Sequence, residues 1–146
     1  MSNTPNSDSE PYLACEEFLA YMPSVDRIEM IRRGLPAMIV EHISTKFEIP
    51  IHKILTYIDM PQTTYNKKIR GQEALGSSQS EQILAITDLL TEGLLIFNNE
   101  KSKFDSWLSS SNLSLNGRTP MSLFDTQTGL REVQNCLHRI EYGNFA

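Results

Sequence analysis

Residues 51–71 read IHKILTYIDMPQTTYNKKIRG, and their spacing decides the fold. Ile51, Ile54, Leu55 and Ile58 recur at i, i+3, i+4 and i+7, which places them on one apolar helix face. Asp59-Met60-Pro61 breaks that helix, and a second, short one is expected from Gln62 to Arg70, closed by Gly71. Two helices joined by so short a connection form the frame of a helix-turn-helix. In such a unit the first turn of the second helix meets base edges in the major groove. Gln62, Thr63, Thr64 and Tyr65 occupy that turn. A glutamine pairs bidentately with adenine, and a threonine contacts the thymine methyl. Lys67, Lys68 and Arg70 follow and suit phosphate contacts, with Ile54, Ile58 and Ile69 as apolar support. The bland alternative is a short basic helix that is merely a solvated face.

The charge distribution agrees with the sharper reading. The chain carries a net charge of −5, which taken alone argues against nucleic acid. Residues 1–35 contribute −3 and residues 72–146 contribute −4, but residues 36–71 carry +2. The basic segment contains the proposed recognition helix, so a DNA contact is to be sought there.

Outward from this unit the pattern stays helical. On the N-terminal side, Pro36 opens a helix with Ile39, Ile43 and Phe47 on one face, which Pro50 ends. Before it, Ser24 caps a short helix carrying Val25, Ile28 and Ile31, closed by Gly34. Leu13, Phe18 and Leu19 define a first helix between Pro11 and Pro23, and residues 1–10 read as a flexible tail. On the C-terminal side, GQEALGSSQS (71–80) is small and polar. It reads as a linker, placed at residues 72–80. Ser78 and Glu81 have capping-box spacing, so a long helix with Ile83, Ile86, Leu90, Leu94 and Phe97 is expected to start there and to end at Asn98-Asn99. Phe104, Trp107 and Leu108 belong to another helix. A loop follows over residues 109–117, then a turn from Thr119-Pro120 to Phe124. The last helix bears Leu130, Val133, Leu137 and Ile140, with Gly143 at its C′ position. That stripe suits either the chain's own core or a dimer seam. No segment alternates like a strand. The expected fold is all-α: a helix-turn-helix bundle over residues 11–71, a linker, and a small helical domain over residues 81–146.

Several function classes are disfavoured. GxSxG, GxxxxGK[ST], HExxH and the dinucleotide fingerprint are all absent, and Glu16-Glu17 reads as ordinary helix surface, so no enzyme is expected. His42, His52 and His138 lack ligand spacing, so neither a metal nor a cofactor is expected. Cys15 and Cys136 fall within apolar helical patterns and read as buried free thiols. The N-terminus lacks the basic and apolar regions of a signal peptide, and no run is apolar enough to span a bilayer, so a cytoplasmic location is expected.

The C-terminal half carries a more specific pattern. Trp107-Leu108, Asn112, Leu115, Gly117, Pro120, Leu123-Phe124-Asp125-Thr126, Gly129, Val133, Leu137, Arg139-Ile140-Glu141 and Gly143 follow in order. This succession resembles the toxin-binding domain of Xre/MbcA/ParS antitoxins, which is preceded in that family by a helix-turn-helix. The resemblance covers about residues 35–146. Ser111 stands where the family often has proline, and Lys67 and Lys68 stand where arginines are common. Lysine keeps the charge but loses the planar fork, which bears on guanine readout rather than on phosphate binding.

The resemblance implies a two-part antitoxin. The first part would bind operator DNA and repress its own operon, and the second would bind a cognate toxin, commonly a NAD-consuming RES-domain protein, by placing its C-terminal end in the toxin's active-site cleft. The residues expected at that contact are Arg139, Glu141, Tyr142, Gly143, Asn144, Phe145 and Ala146. Burying Phe145 in a partner would contribute about 1.5–3 kcal/mol. The alternative is that Phe145 folds back on its own helix. Two operator half-sites would require a homodimer. Two rivals stand beside this reading: a plain transcriptional regulator whose C-terminal half only dimerises, and an interaction module that has lost DNA binding.

Overall fold

The computed structural model describes residues 24–143 as seven α-helices and two 3₁₀ turns, with isolated bridges but no strand among the described residues. The all-α expectation therefore holds. The expected tail and first helix lie outside the described residues. The helices are α1 (Ser24–Arg33), α2 (Ile39–Phe47), α3 (Ile51–Tyr57), α4 (Gln62–Arg70), α5 (Ser77–Ile96), α6 (Lys101–Ser109) and α7 (Gln127–Glu141). The 3₁₀ turns Leu113–Leu115 and Pro120–Leu123 connect α6 to α7.

Prolines and left-handed residues punctuate the chain. Pro50 and Pro61 sit at the N-caps of α3 and α4, and Pro120 opens the second 3₁₀ turn. Helix α2 ends before Pro50, because Glu48 already takes a left-handed φ of 55° and the Ile49 N–H returns to the Ser44 carbonyl. Asn98 and Asn99 are both left-handed beyond α5, as expected of a helix end.

The segment read as a linker is tied down. Leu75 is buried, its N–H donates to the Leu35 carbonyl at 2.7 Å, and the Ala37 N–H donates to the Glu73 carbonyl. This pairing runs so close to Gly34, whose φ is +87°, that a Cβ there would lie 2.2 Å from the Leu75 carbonyl oxygen. Only glycine fits both conditions. Helix α5 also starts earlier than expected, at Ser77. The cap is Gly76, whose N–H is taken by Gln79 Oε1 at 3.1 Å, rather than the Ser78/Glu81 pair. Inside α5, Ser80 Oγ is fully buried and accepts the Leu35 N–H at 2.9 Å.

Helix α5 is the shared spine. Ile83, Leu84, Ile86, Leu89 and Leu90 are buried on it, within one apolar cluster that takes in Ile39, Ile43 and Ile54 from the first half and Phe104, Phe124, Val133 and Leu137 from the second. Leu130, Val133 and Leu137 are buried in that core, which removes the dimer-seam reading of this stripe. Cys136 is a buried free thiol, as expected, whereas Cys15 lies outside the described residues. Trp107 joins Phe97 and Phe104 in a ring cluster with centroids 5.4–6.4 Å apart. Helix α1 departs from expectation: Ile31 and Met30 pack on the core, but Val25 and Ile28 are exposed, and Arg27 pairs with Asp88 of α5 at 2.7 Å. No helix among the described residues is long and apolar enough to cross a membrane.

Candidate functional site

Two faces collect the residues singled out from the sequence. The first is α4. Asp59 adopts a φ of +53°, and the Met60 N–H returns to the Leu55 carbonyl at 2.9 Å, closing α3 in a tight C-terminal motif. Met60 is buried and anchors the turn, and Pro61 then launches α4. Gln62, Thr63, Thr64, Lys67 and Arg70 all stand exposed along α4, as a groove-facing helix requires.

Two members of the expected set do not. Tyr65 is 5% exposed and belongs to the core. Burial, and then the nearby Glu41 carboxylate, hold its phenol above the usual range. It supports α4 from beneath rather than reading bases. Lys68 is half-buried, and its Nζ donates to the Ala74 carbonyl at 3.0 Å, tying α4 to the strap before α5. Asn66, missed in the sequence reading, is exposed one turn after Gln62 and accepts a hydrogen bond from Gln62 Nε2 at 3.0 Å. Asparagine is a competent adenine reader, and the i, i+4 relation to Gln62 was the available signal.

The second face is the far end of α5 and α7. These helices run parallel: Gln127 Nε2 donates to Gln82 Oε1 at 2.7 Å, Gln134 Nε2 donates to Glu92 Oε2 at 3.1 Å, and His138 Nε2 lies 2.6 Å from Glu92 Oε1. Thr126 Oγ1 caps α7 by accepting the Gly129 N–H at 2.9 Å. At the other end Gly143 takes a φ of +71°, and its N–H returns to the Ile140 carbonyl, so it terminates α7 as expected.

Of the residues expected to meet a partner, Glu141, Tyr142 and Gly143 are exposed here, Tyr142 at 80%. Arg139 is half-buried, with Nη2 3.0 Å from Cys136 Sγ, which turns its guanidinium along α7. Asn144, Phe145 and Ala146 lie outside the described residues. Leu95, near the end of α5, is also exposed, at 64%. It sits one turn beyond Glu92, as Tyr142 sits one turn beyond His138, so both end the parallel pair. A third exposed apolar residue, Leu113, is 95% exposed on the first 3₁₀ turn. Asn112 fixes that turn: its Oδ1 accepts the Ser114 N–H and its carbonyl accepts the Gly117 N–H. Apolar periodicity finds neither Leu95 nor Leu113, because it locates buried faces and says nothing of isolated exposed leucines.

Two family models match the chain. Residues 26–87 match the family model described as the antitoxin Xre-like helix-turn-helix domain. Residues 93–143 match the antitoxin Xre/MbcA/ParS C-terminal toxin-binding domain. Among curated relatives, the chain is 26% identical over 114 residues to an antitoxin Xre of Photorhabdus laumondii, covering 78% of this chain and 77% of the relative. It is 25% identical over 119 residues to an antitoxin Xre of Yersinia enterocolitica, covering 82% and 80%. A Sphingobium protein named Prs ADP-ribosylating antitoxin is 28% identical over 130 residues, covering 84% and 82%. With one model on the helix-turn-helix half and the other on the α5–α7 end, the chain belongs to the Xre/MbcA/ParS family of antitoxins.

Proposed function

We propose that this chain is the antitoxin of a type II toxin–antitoxin pair, that it neutralises a NAD-consuming, RES-type toxin by occluding its active site, and that it represses its own operon by binding operator DNA as a homodimer. The observation that carries the reading is the exposed end of α7, where Glu141, Tyr142 and Gly143 stand in solvent inside the segment matched to the toxin-binding domain. Tyrosine pairs an apolar body with a polar tip, the chemistry favoured at interface hot spots. In this proposal residues 139 and 141–146 engage the toxin, with Asn144, Phe145 and Ala146 in the cleft, and the protein acts by occlusion rather than catalysis. The name of the Sphingobium relative, which refers to ADP-ribosylation, supports a toxin that consumes NAD.

On DNA, Gln62, Thr63, Thr64 and Asn66 face the bases, and Lys67 and Arg70 face phosphates. Co-expression with the product of the adjacent open reading frame tests the whole proposal. Rescue of growth with co-purification is expected, and a chain shortened by residues 143–146 is expected to fold but to lose rescue. A harmless neighbour that does not co-purify overturns the toxin reading and leaves a DNA-binding regulator. Rescue by the shortened chain overturns occlusion by the tail.

A further inference from the structure

His138 and Glu141 lie one turn apart on α7, and Glu92 faces them from α5. One ligand atom from each lies within 4.8 Å of the others. We propose that these three side chains form a binding site for a divalent transition ion of the zinc class. The i, i+3 spacing puts His138 and Glu141 on one helix face, so the two α7 ligands converge without any backbone change. His138 Nε2 and Glu92 Oε1 are already 2.6 Å apart. The other Glu92 oxygen is held by Gln134 Nε2 at 3.1 Å, an outer hydrogen bond of the kind that orients a metal-ligating carboxylate.

Charge points the same way. Glu92 and Glu141 bring two carboxylates close together. A dication balances both. The neighbouring Arg139 guanidinium is directed at Cys136 Sγ instead. An imidazole with two carboxylates favours zinc-class ions over magnesium or calcium, which prefer all-oxygen shells. Ligand distances of about 2.0–2.2 Å set tetrahedral ligands roughly 3.3 Å apart. The His138–Glu92 pair must therefore open slightly to admit the ion, and exposed Glu141 must swing inward. Three protein ligands leave a fourth position open.

The site lies at the root of residues 142–146, but it does not rest on the toxin reading, and its test uses the chain alone. Isothermal titration of the full-length, untagged chain with zinc chloride at neutral pH is expected to give saturable binding of one ion per chain. His138→Gln and Glu92→Gln are each expected to weaken it more than tenfold, and Gln134→Leu by about tenfold. His52→Gln on α3 should leave it unchanged. Circular dichroism checks helix content. Should a core-side variant fail to fold, Glu141→Gln, at an exposed position, is read in its place. Absence of saturable binding overturns the proposal, as does a less than tenfold effect of the His138 and Glu92 variants.

Discussion

Tyr57 sits where the two halves of the chain meet. Its ring lies edge-on to Phe124 with centroids 5.5 Å apart, linking the helix-turn-helix to the turn before α7. Burial, and secondarily the Asp125 carboxylate, raise its pKa from the ordinary 10.0 to about 12. The folded chain therefore holds the phenolic proton more tightly than the unfolded chain does. That contribution is fully present below pH 10.0 and is lost as pH rises toward about 12. Tm measured across this window is expected to fall, and to fall less in Tyr57→Phe. The effect should be partial, because buried Tyr65 shifts in the same direction. An identical fall in both proteins would mean that the Tyr57 phenol is solvated. Residue scale is also where the sequence was least legible. Tyr65 and Lys68 occupy positions of a recognition helix, and nothing in their types says that one ring faces the core or that one ammonium binds the Ala74 carbonyl. Those facts depend on where α2 and the strap before α5 pass beneath α4.

At the scale of elements, legibility was much higher, because buried faces have a period. Ile54, Leu55 and Ile58 are all buried on or beside α3, and Leu130, Val133 and Leu137 on α7. The same period could not say which partner covers a stripe, and so it left the dimer seam open for α7. Leu137 is 0% exposed within one chain, and Leu137→Ala is expected to cost about 2–5 kcal/mol in denaturant unfolding while leaving the oligomeric state unchanged. A variant that dissociates without losing monomer stability would return α7 to an interface role. For α4, exposure separates cations that look alike in sequence. Lys67→Ala with Arg70→Ala is expected to reduce the salt slope of DNA binding by about 2, roughly 0.9 per phosphate contact. Lys68→Ala is expected to lower Tm more than it changes that slope, since its partner is a backbone carbonyl. Equal salt slopes for all three single variants would contradict this assignment.

At the scale of the molecule, the halves that the sequence suggested are joined more closely than a linker allows. Composition misled there: GQEALGSSQS is small and polar, yet Leu75 is buried within it, and Ser80 uses its hydroxyl to cap the Leu35 N–H. Gln82, on the same helix, donates to the Phe124 carbonyl at 2.7 Å and accepts from Gln127, so α5 is bonded to both the turn and the start of α7. Long-range polar contacts of this kind have no local signature. Their consequence is cooperativity. Because α5 contributes buried side chains to a single core that spans both halves, neither half can unfold without exposing part of the other's packing. Urea unfolding followed by far-ultraviolet circular dichroism reports every helix, whereas fluorescence of the single tryptophan, Trp107, reports the C-terminal half. The two midpoints are expected to coincide, and a fragment ending at Gly71 to remain unfolded, since it lacks α5. Separated midpoints would mean that α5 belongs to one half only. If the midpoints coincide, the two halves unfold as one unit, and toxin and operator, once both are in hand, can be asked whether each changes the other's affinity by the same factor.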